Sequence, residues 1–146
     1  FDTFAGYPEP ERKYELHAAR QFEDAARFQP VSVEELTRIA ASQNLQARIE
    51  LVKGDITSTV KEYVVANPGF RIALLNLDFD TYDATKLALE VLYDLVVPNG
   101  VVVLDEYAAS DWGESDAVDE VFKHRNIRLR SIPWTHSPSA YFVKGD

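Results

Sequence analysis

The chain has 146 residues, 46% of them hydrophobic, which is enough for one domain with a packed core and too few for two. Its 24 acidic residues outweigh 15 basic ones for a net charge of −9; this argues against nucleic acid as a partner, because phosphate binding relies on clustered Lys and Arg, and makes a cation the better charged ligand. No apolar stretch approaches the roughly 20 residues of a membrane span, and without cysteine there is neither a disulfide framework nor a thiolate metal site, so a cytoplasmic protein with no membrane partner is expected.

Methionine is absent throughout, and Phe1 to Phe4 read as the end of a strand that began earlier, so upstream material is expected. Residues 5–30, punctuated by Pro8, Pro10 and Pro30, carry only a weak helical pattern at Leu16, Ala19, Phe22 and Ala26, as a lid or long loop would. Ser32 with Glu35 forms a capping box, and Val33, Leu36, Ile39 and Ala40 predict a helix over about 33–43. Residues 48–53 alternate as a strand does. Ser58 or Thr59 then caps a helix running to Ala66, where Asn67, Pro68 and Gly69 stop it.

The run from Arg71 to Leu77 is nearly all apolar, the mark of a central parallel strand buried on both faces. Asp83 is the expected cap of a helix whose Ala84, Leu87, Ala88, Val91, Leu92 and Leu95 share a face. Pro98, Asn99 and Gly100 turn the chain into a second buried strand, Val101 to Leu104. A helix through Ala117, Val118, Val121 and Phe122 precedes two strands, 127–132 and 139–144, that form an antiparallel hairpin. Alternation of strand and helix predicts a single α/β domain over 1–146, a mostly parallel sheet with helices on both faces.

Both apolar strands end in acid: Asp78 and Asp80 after one, Asp105 and Glu106 after the other. In an open α/β sheet, ligands sit outside the carboxyl ends of the strands. If the strands are neighbours, about 4.8 Å apart, these carboxylates converge. Like charges crowd cheaply only around a cation, and an all-oxygen set suits Mg2+ or another hard divalent ion better than zinc. The plainer alternative is that the acids cap helices and face solvent, as Asp83 is expected to do.

The segments Leu77-Asp78-Phe79-Asp80-Thr81-Tyr82-Asp83 and Pro98-Asn99-Gly100 through Asp105-Glu106-Tyr107 resemble the macrocin-type (TylF/MycF-like) sugar O-methyltransferases. So do Asp2-Thr3-Phe4-Ala5-Gly6-Tyr7-Pro8, similar to that family's Asp-Ser/Thr-Phe-x-Gly-Phe/Leu/Tyr-Pro segment, and Ser137-Pro138-Ser139-Ala140-Tyr141. The resemblance implies a Rossmann-like methyltransferase fold with a C-terminal hairpin, lacking here its first strand and glycine-rich loop. It implies S-adenosylmethionine-dependent, divalent-metal-assisted methylation of a hydroxyl on a sugar or sugar-containing natural product. Asp78, Asp105 and Glu106 would ligate the metal, Asp80 would be the general base, and Asp2, Thr3, Asp55 and Ile56 would border the cofactor. Tyr82, Tyr107 and Trp112 are candidates for stacking on substrate. A homo-oligomer is implied as well.

Two other readings remain open at this stage. Asp78-Phe79-Asp80-Thr81 after an apolar strand also resembles the nucleophile motif of Mg2+-dependent haloacid-dehalogenase-like phosphatases, although that family usually has Gly before the Thr. A non-catalytic methyltransferase-like binding domain is the second.

Overall fold

A computed structural model describes residues 1–26 and 30–146; positions 27–29 of the expected 5–30 lid lie outside the described residues, as do the side chains of Phe22 and Ala26. The lid segment carries helix α1, Lys13–Ala26, with Ala19 buried. Helix α2, Val33–Ser42, starts as expected, with Ser32 Oγ accepting from the Glu35 N–H at 3.1 Å, and of its stripe only Ala40 is buried.

The strand expected over 48–53 does not join the sheet. A 3-10 turn covers Gln46–Arg48, and the remainder makes a single parallel bridge, Asp2 to Lys53. Alternation supplies a face but no ladder: Asp2 alone pairs here, giving its N–H to Val52 O and accepting from the Gly54 N–H. Helix α3, Ile56–Ala66, is capped by Asp55 and not by Ser58 or Thr59; Asp55 Oδ1 accepts from the Thr57 N–H at 2.8 Å and the Thr57 hydroxyl at 2.7 Å. Asp caps as well as Ser and stands directly before the first helical residue.

Strand β1, Ile72–Leu77, leads to helix α4, Tyr82–Leu92, and strand β2, Val96–Leu104. Pro98 to Gly100 form a bulge inside β2, where register jumps from Ile72/Val96 to Leu74/Val101. Gly100 is required there, since a Cβ would stand 2.8 Å from Val97 O and 3.2 Å from Ala73 O. Asp83 is not the cap of α4, because Tyr82 is already helical and the N-cap is Thr81, whose side chain makes no capping bond. The Tyr82 N–H is satisfied from a distance, by Glu15 Oε1 of α1 at 2.6 Å.

Helix α5, Glu114–Phe122, is followed by β3, Arg130–Ser131, and β4, Ala140–Val143, both shorter than expected. The sheet order is β1-β2-β4-β3. β1 and β2 are parallel, and β4 is antiparallel to both of its neighbours. The mixed α/β class is as expected, and β1, β2 and β3 run one way, although only one of the three pairings is parallel.

Leu75, Leu77, Val102, Leu104 and Phe142 of the sheet pack with Val60, Ala88, Leu89, Val118 and Phe122 of α3, α4 and α5. Full burial of a side chain such as Leu77, Leu104 or Phe142 contributes about 1.5–3 kcal/mol, which is what holds β1 beside β2. The double-sided burial expected for β1 is found on one face only: Leu74 is 63% exposed and Asn76 is exposed beside it. Among the described residues no helix is long and apolar enough to cross a membrane.

Candidate active site

Leu77 and Leu104 pair in register, and the Asp105 N–H donates to Leu77 O at 3.1 Å, so Asp78 and Asp105 leave neighbouring strands side by side. The convergence expected from the sequence is therefore built by the β1/β2 ladder. Two residues on, Asp80 sits in the left-handed region at φ +60° and is 9% exposed. A short polar side chain tolerates that conformation better than most.

Crowding shows in the proton affinities. Burial first, then the charges of Asp78, Glu106 and Asp105, push Asp80 up to about 6, against the opposing hydrogen bond from Tyr7. Asp78 keeps exposed surface, and its carboxyl is still raised by partial burial and by Asp105 and Asp2. Glu106 is raised by burial and Asp105, partly relieved by His136. Among the described residues no three of these groups close around a point as a finished metal site. Asp105 Oδ2 instead accepts the hydroxyl of Ser137, from the loop before β4. The donor chemistry nonetheless suits a hard cation, whose charge would reverse the mutual repulsion of Asp78, Asp105 and Glu106.

A cavity of about 430 Å³ runs from Asp78 and Asp80 to Asp2, Thr3, Phe4 and Tyr7, within the size range of small-molecule sites. A smaller hollow of about 50 Å³ is lined by Asp2, Thr3, Asp55 and Ile56, so the four expected cofactor residues do come together. Their polar groups are partly committed: Thr3 Oγ1 donates to Gly6 O, Asp2 Oδ1 accepts from the Phe4 N–H, and Asp55 caps α3.

The aromatic candidates divide. Trp112 stacks on Tyr7 with ring centroids 5.4 Å apart. Tyr82 is turned to α5, its hydroxyl on Glu120 and its ring beneath the Arg12 guanidinium at 3.5 Å, and it does not line the large cavity. Tyr107 donates to Asp119 Oδ1 at 2.9 Å and packs on the core.

Three residues near the site were not anticipated. Tyr7 donates to Asp80 Oδ2 at 2.5 Å. Glu114, fully buried, accepts from the Glu106 N–H at 3.0 Å, and burial pushes it up to about 8. Glu15 anchors α4. Tyr7 stood inside a recognisable segment, but nothing in the local pattern separates Glu15 or Glu114 from the solvent-facing acids around them.

The Macrocin-O-methyltransferase (TylF) family model matches residues 1–142. The chain belongs to this family. Similar solved structures place the TylF-family chain beside CalS11, a calicheamicin methyltransferase, at 26% identity and TM-score 0.74 over all of this chain and 59% of that one. An apo structure of CalS11, described as a TDP-rhamnose 3'-O-methyltransferase of calicheamicin biosynthesis, matches at 26% and 0.69 over 100% and 57%. The O-methyltransferase NovP matches at 25% and 0.75 over 97% and 57%. The chain thus spans less than two thirds of the length of these neighbours. A search of curated proteins finds no match. The family match leaves the phosphatase-like resemblance of Asp78-Phe79-Asp80-Thr81 without support.

Proposed function

We propose that this TylF-family protein transfers a methyl group from S-adenosylmethionine to a hydroxyl of a sugar or sugar-bearing natural product. The observation that carries the reading is the cavity that joins Asp2 and Thr3 to Asp78 and Asp80, in a chain whose neighbours include a TDP-rhamnose 3'-O-methyltransferase. The mixed α/β fold fits an enzyme acting on a small molecule, and among the described residues no helix is long and apolar enough to cross a membrane.

S-adenosylmethionine, when bound, supplies an electrophilic methyl on a good leaving group; Asp2, Thr3, Asp55 and Ile56 would hold it. A divalent cation such as Mg2+, when bound, supplies positive charge that lowers the proton affinity of the acceptor hydroxyl; Asp78, Asp105 and Glu106 would hold it. Asp80 then does the protein's share of the chemistry. Buried beside the cluster and lining the cavity, its carboxylate would accept the hydroxyl proton. With the methyl donor bound, the Asp80 carboxylate would take that proton as the hydroxyl oxygen is methylated. The remaining contribution would be to hold the acceptor oxygen in line with the methyl donor, with Trp112, stacked on the cavity-lining Tyr7, the aromatic we assign to the sugar ring.

The test is transfer of labelled methyl from S-adenosylmethionine to nucleotide-sugar and glycosylated acceptors by the full-length protein. Methylated sugar should form, cease with EDTA and return with Mg2+. Transfer indifferent to EDTA would remove the metal assignment. Tight S-adenosylmethionine binding without transfer to any acceptor would favour the binding-module reading.

A further inference from the structure

Tyr7 reaches the site from the N-terminal segment and has no part in the mechanism above. It is held at both ends: its hydroxyl donates to Asp80 Oδ2 at 2.5 Å, and its ring lies on Trp112, with centroids 5.4 Å apart and planes at 28°. Asp80 needs such a partner. Its backbone, at φ +60°, fixes where Cβ points but not the plane of the carboxylate, because the terminal torsion of Asp is broad and weakly restrained. A base whose carboxylate plane wanders meets the acceptor proton in poor geometry much of the time, and misplacement by about 1 Å can cost on the order of a hundredfold in rate.

We propose that Tyr7 is a positioning residue for methyl transfer, its phenol holding Oδ2 of Asp80 so that the acceptor's proton is taken by Oδ1. The inference rests on the assignment of Asp80 as the base. A hydroxyl donating to a carboxylate is among the stronger hydrogen bonds available to a side chain, and the Trp112 stack keeps the phenol from swinging away. Burial and the neighbouring Asp80 charge hold the phenol well above its usual range. Tyr7 therefore remains a donor during turnover and does not take the proton itself. Tyr7 thus ties the Trp112 ring to the base.

Phe at this position keeps the ring and the stack and deletes only the hydroxyl. In the full-length protein, Tyr7→Phe should lower kcat about tenfold or more while KM for S-adenosylmethionine and acceptor moves by less than about twofold. A residue that merely supports the fold would shift both KM values and the unfolding midpoint. A kcat within about twofold of the unaltered protein overturns the proposal. The second readout needs no turnover: the carboxyl 13C resonance of Asp80, assigned by its loss in Asp80→Asn, should move in Tyr7→Phe, and an unmoved resonance overturns the pairing. If Asp80→Asn retains full turnover, the base assignment fails by itself, and the pairing is judged on the resonance alone.

Discussion

Glu15 links the N-terminal segment to the turn that presents Asp80, and its removal has a calculable consequence. The side chain is fully buried, its Oε1 accepts the first N–H of α4 at 2.6 Å, and its Oε2 has no partner among the described residues. Glu15→Ala leaves the Tyr82 N–H unsatisfied, costing about 1–3 kcal/mol, and forfeits one buried methylene, the Cγ, at about 0.8 kcal/mol. Relief of an unpartnered buried carboxyl oxygen offsets about 1–3 kcal/mol of this. The net is a loss of about 1 kcal/mol, which a urea titration reads as a midpoint lower by about 0.5 M at unchanged slope. Glu15→Gln keeps the volume and the acceptor and should be far milder. Burial raises the Glu15 carboxyl above its ordinary 4.5, so the folded state binds that proton more tightly than the unfolded chain does. The stability this confers is complete below that ordinary value and is lost as pH rises through the raised one, so Glu15→Gln should gain on the unaltered protein as pH rises above 4.5. Glu15→Gln as damaging as Glu15→Ala, or Glu15→Ala without effect, would refute the remote cap.

Gly113→Ala tests the same junction from the other side: its Cβ would stand 1.9 Å from Glu15 Oε1 and 2.6 Å from Tyr82 Cβ. Denaturant unfolding should show a loss of about 1–3 kcal/mol, non-additive with Glu15→Ala because the two act on one contact. Trp112→Ala removes the Tyr7 stack and the proposed sugar platform, so initial-rate kinetics should show KM for the acceptor raised about five- to tenfold while KM for S-adenosylmethionine holds. Asp55→Ala deletes the α3 cap bonds and should cost about 1 kcal/mol in thermal or urea unfolding, whatever it does to cofactor affinity.

The paired acids were legible because two apolar runs, each ending in carboxylate, read as buried strands whose acids converge if the strands are neighbours, and the Leu77/Leu104 register makes them neighbours. What could not be read was decided by tertiary partners. Residues 48–53 alternate correctly, yet a strand needs a neighbour, and Asp2 supplies one bridge. Asp83 has the chemistry of a cap but stands two residues past the N-cap, Thr81, and the first helical N–H, that of Tyr82, is met by Glu15, 67 positions before it. Tyr82 and Tyr107 follow strand ends as site residues do, and their hydroxyls are instead engaged by Glu120 and Asp119 on α5. Glu114 looks like an ordinary first-turn acid, and only packing behind Glu106 makes it a buried one.

The role of Asp80 is tested most directly by the single-turnover rate of methyl transfer in Asp80→Asn, with S-adenosylmethionine, Mg2+ and acceptor saturating. A general base contributes about 10²–10⁴-fold, so the rate should fall by that factor while the S-adenosylmethionine dissociation constant and the unfolding midpoint stay put. A rate within about twofold of the unaltered protein would contradict the assignment of Asp80 as the base.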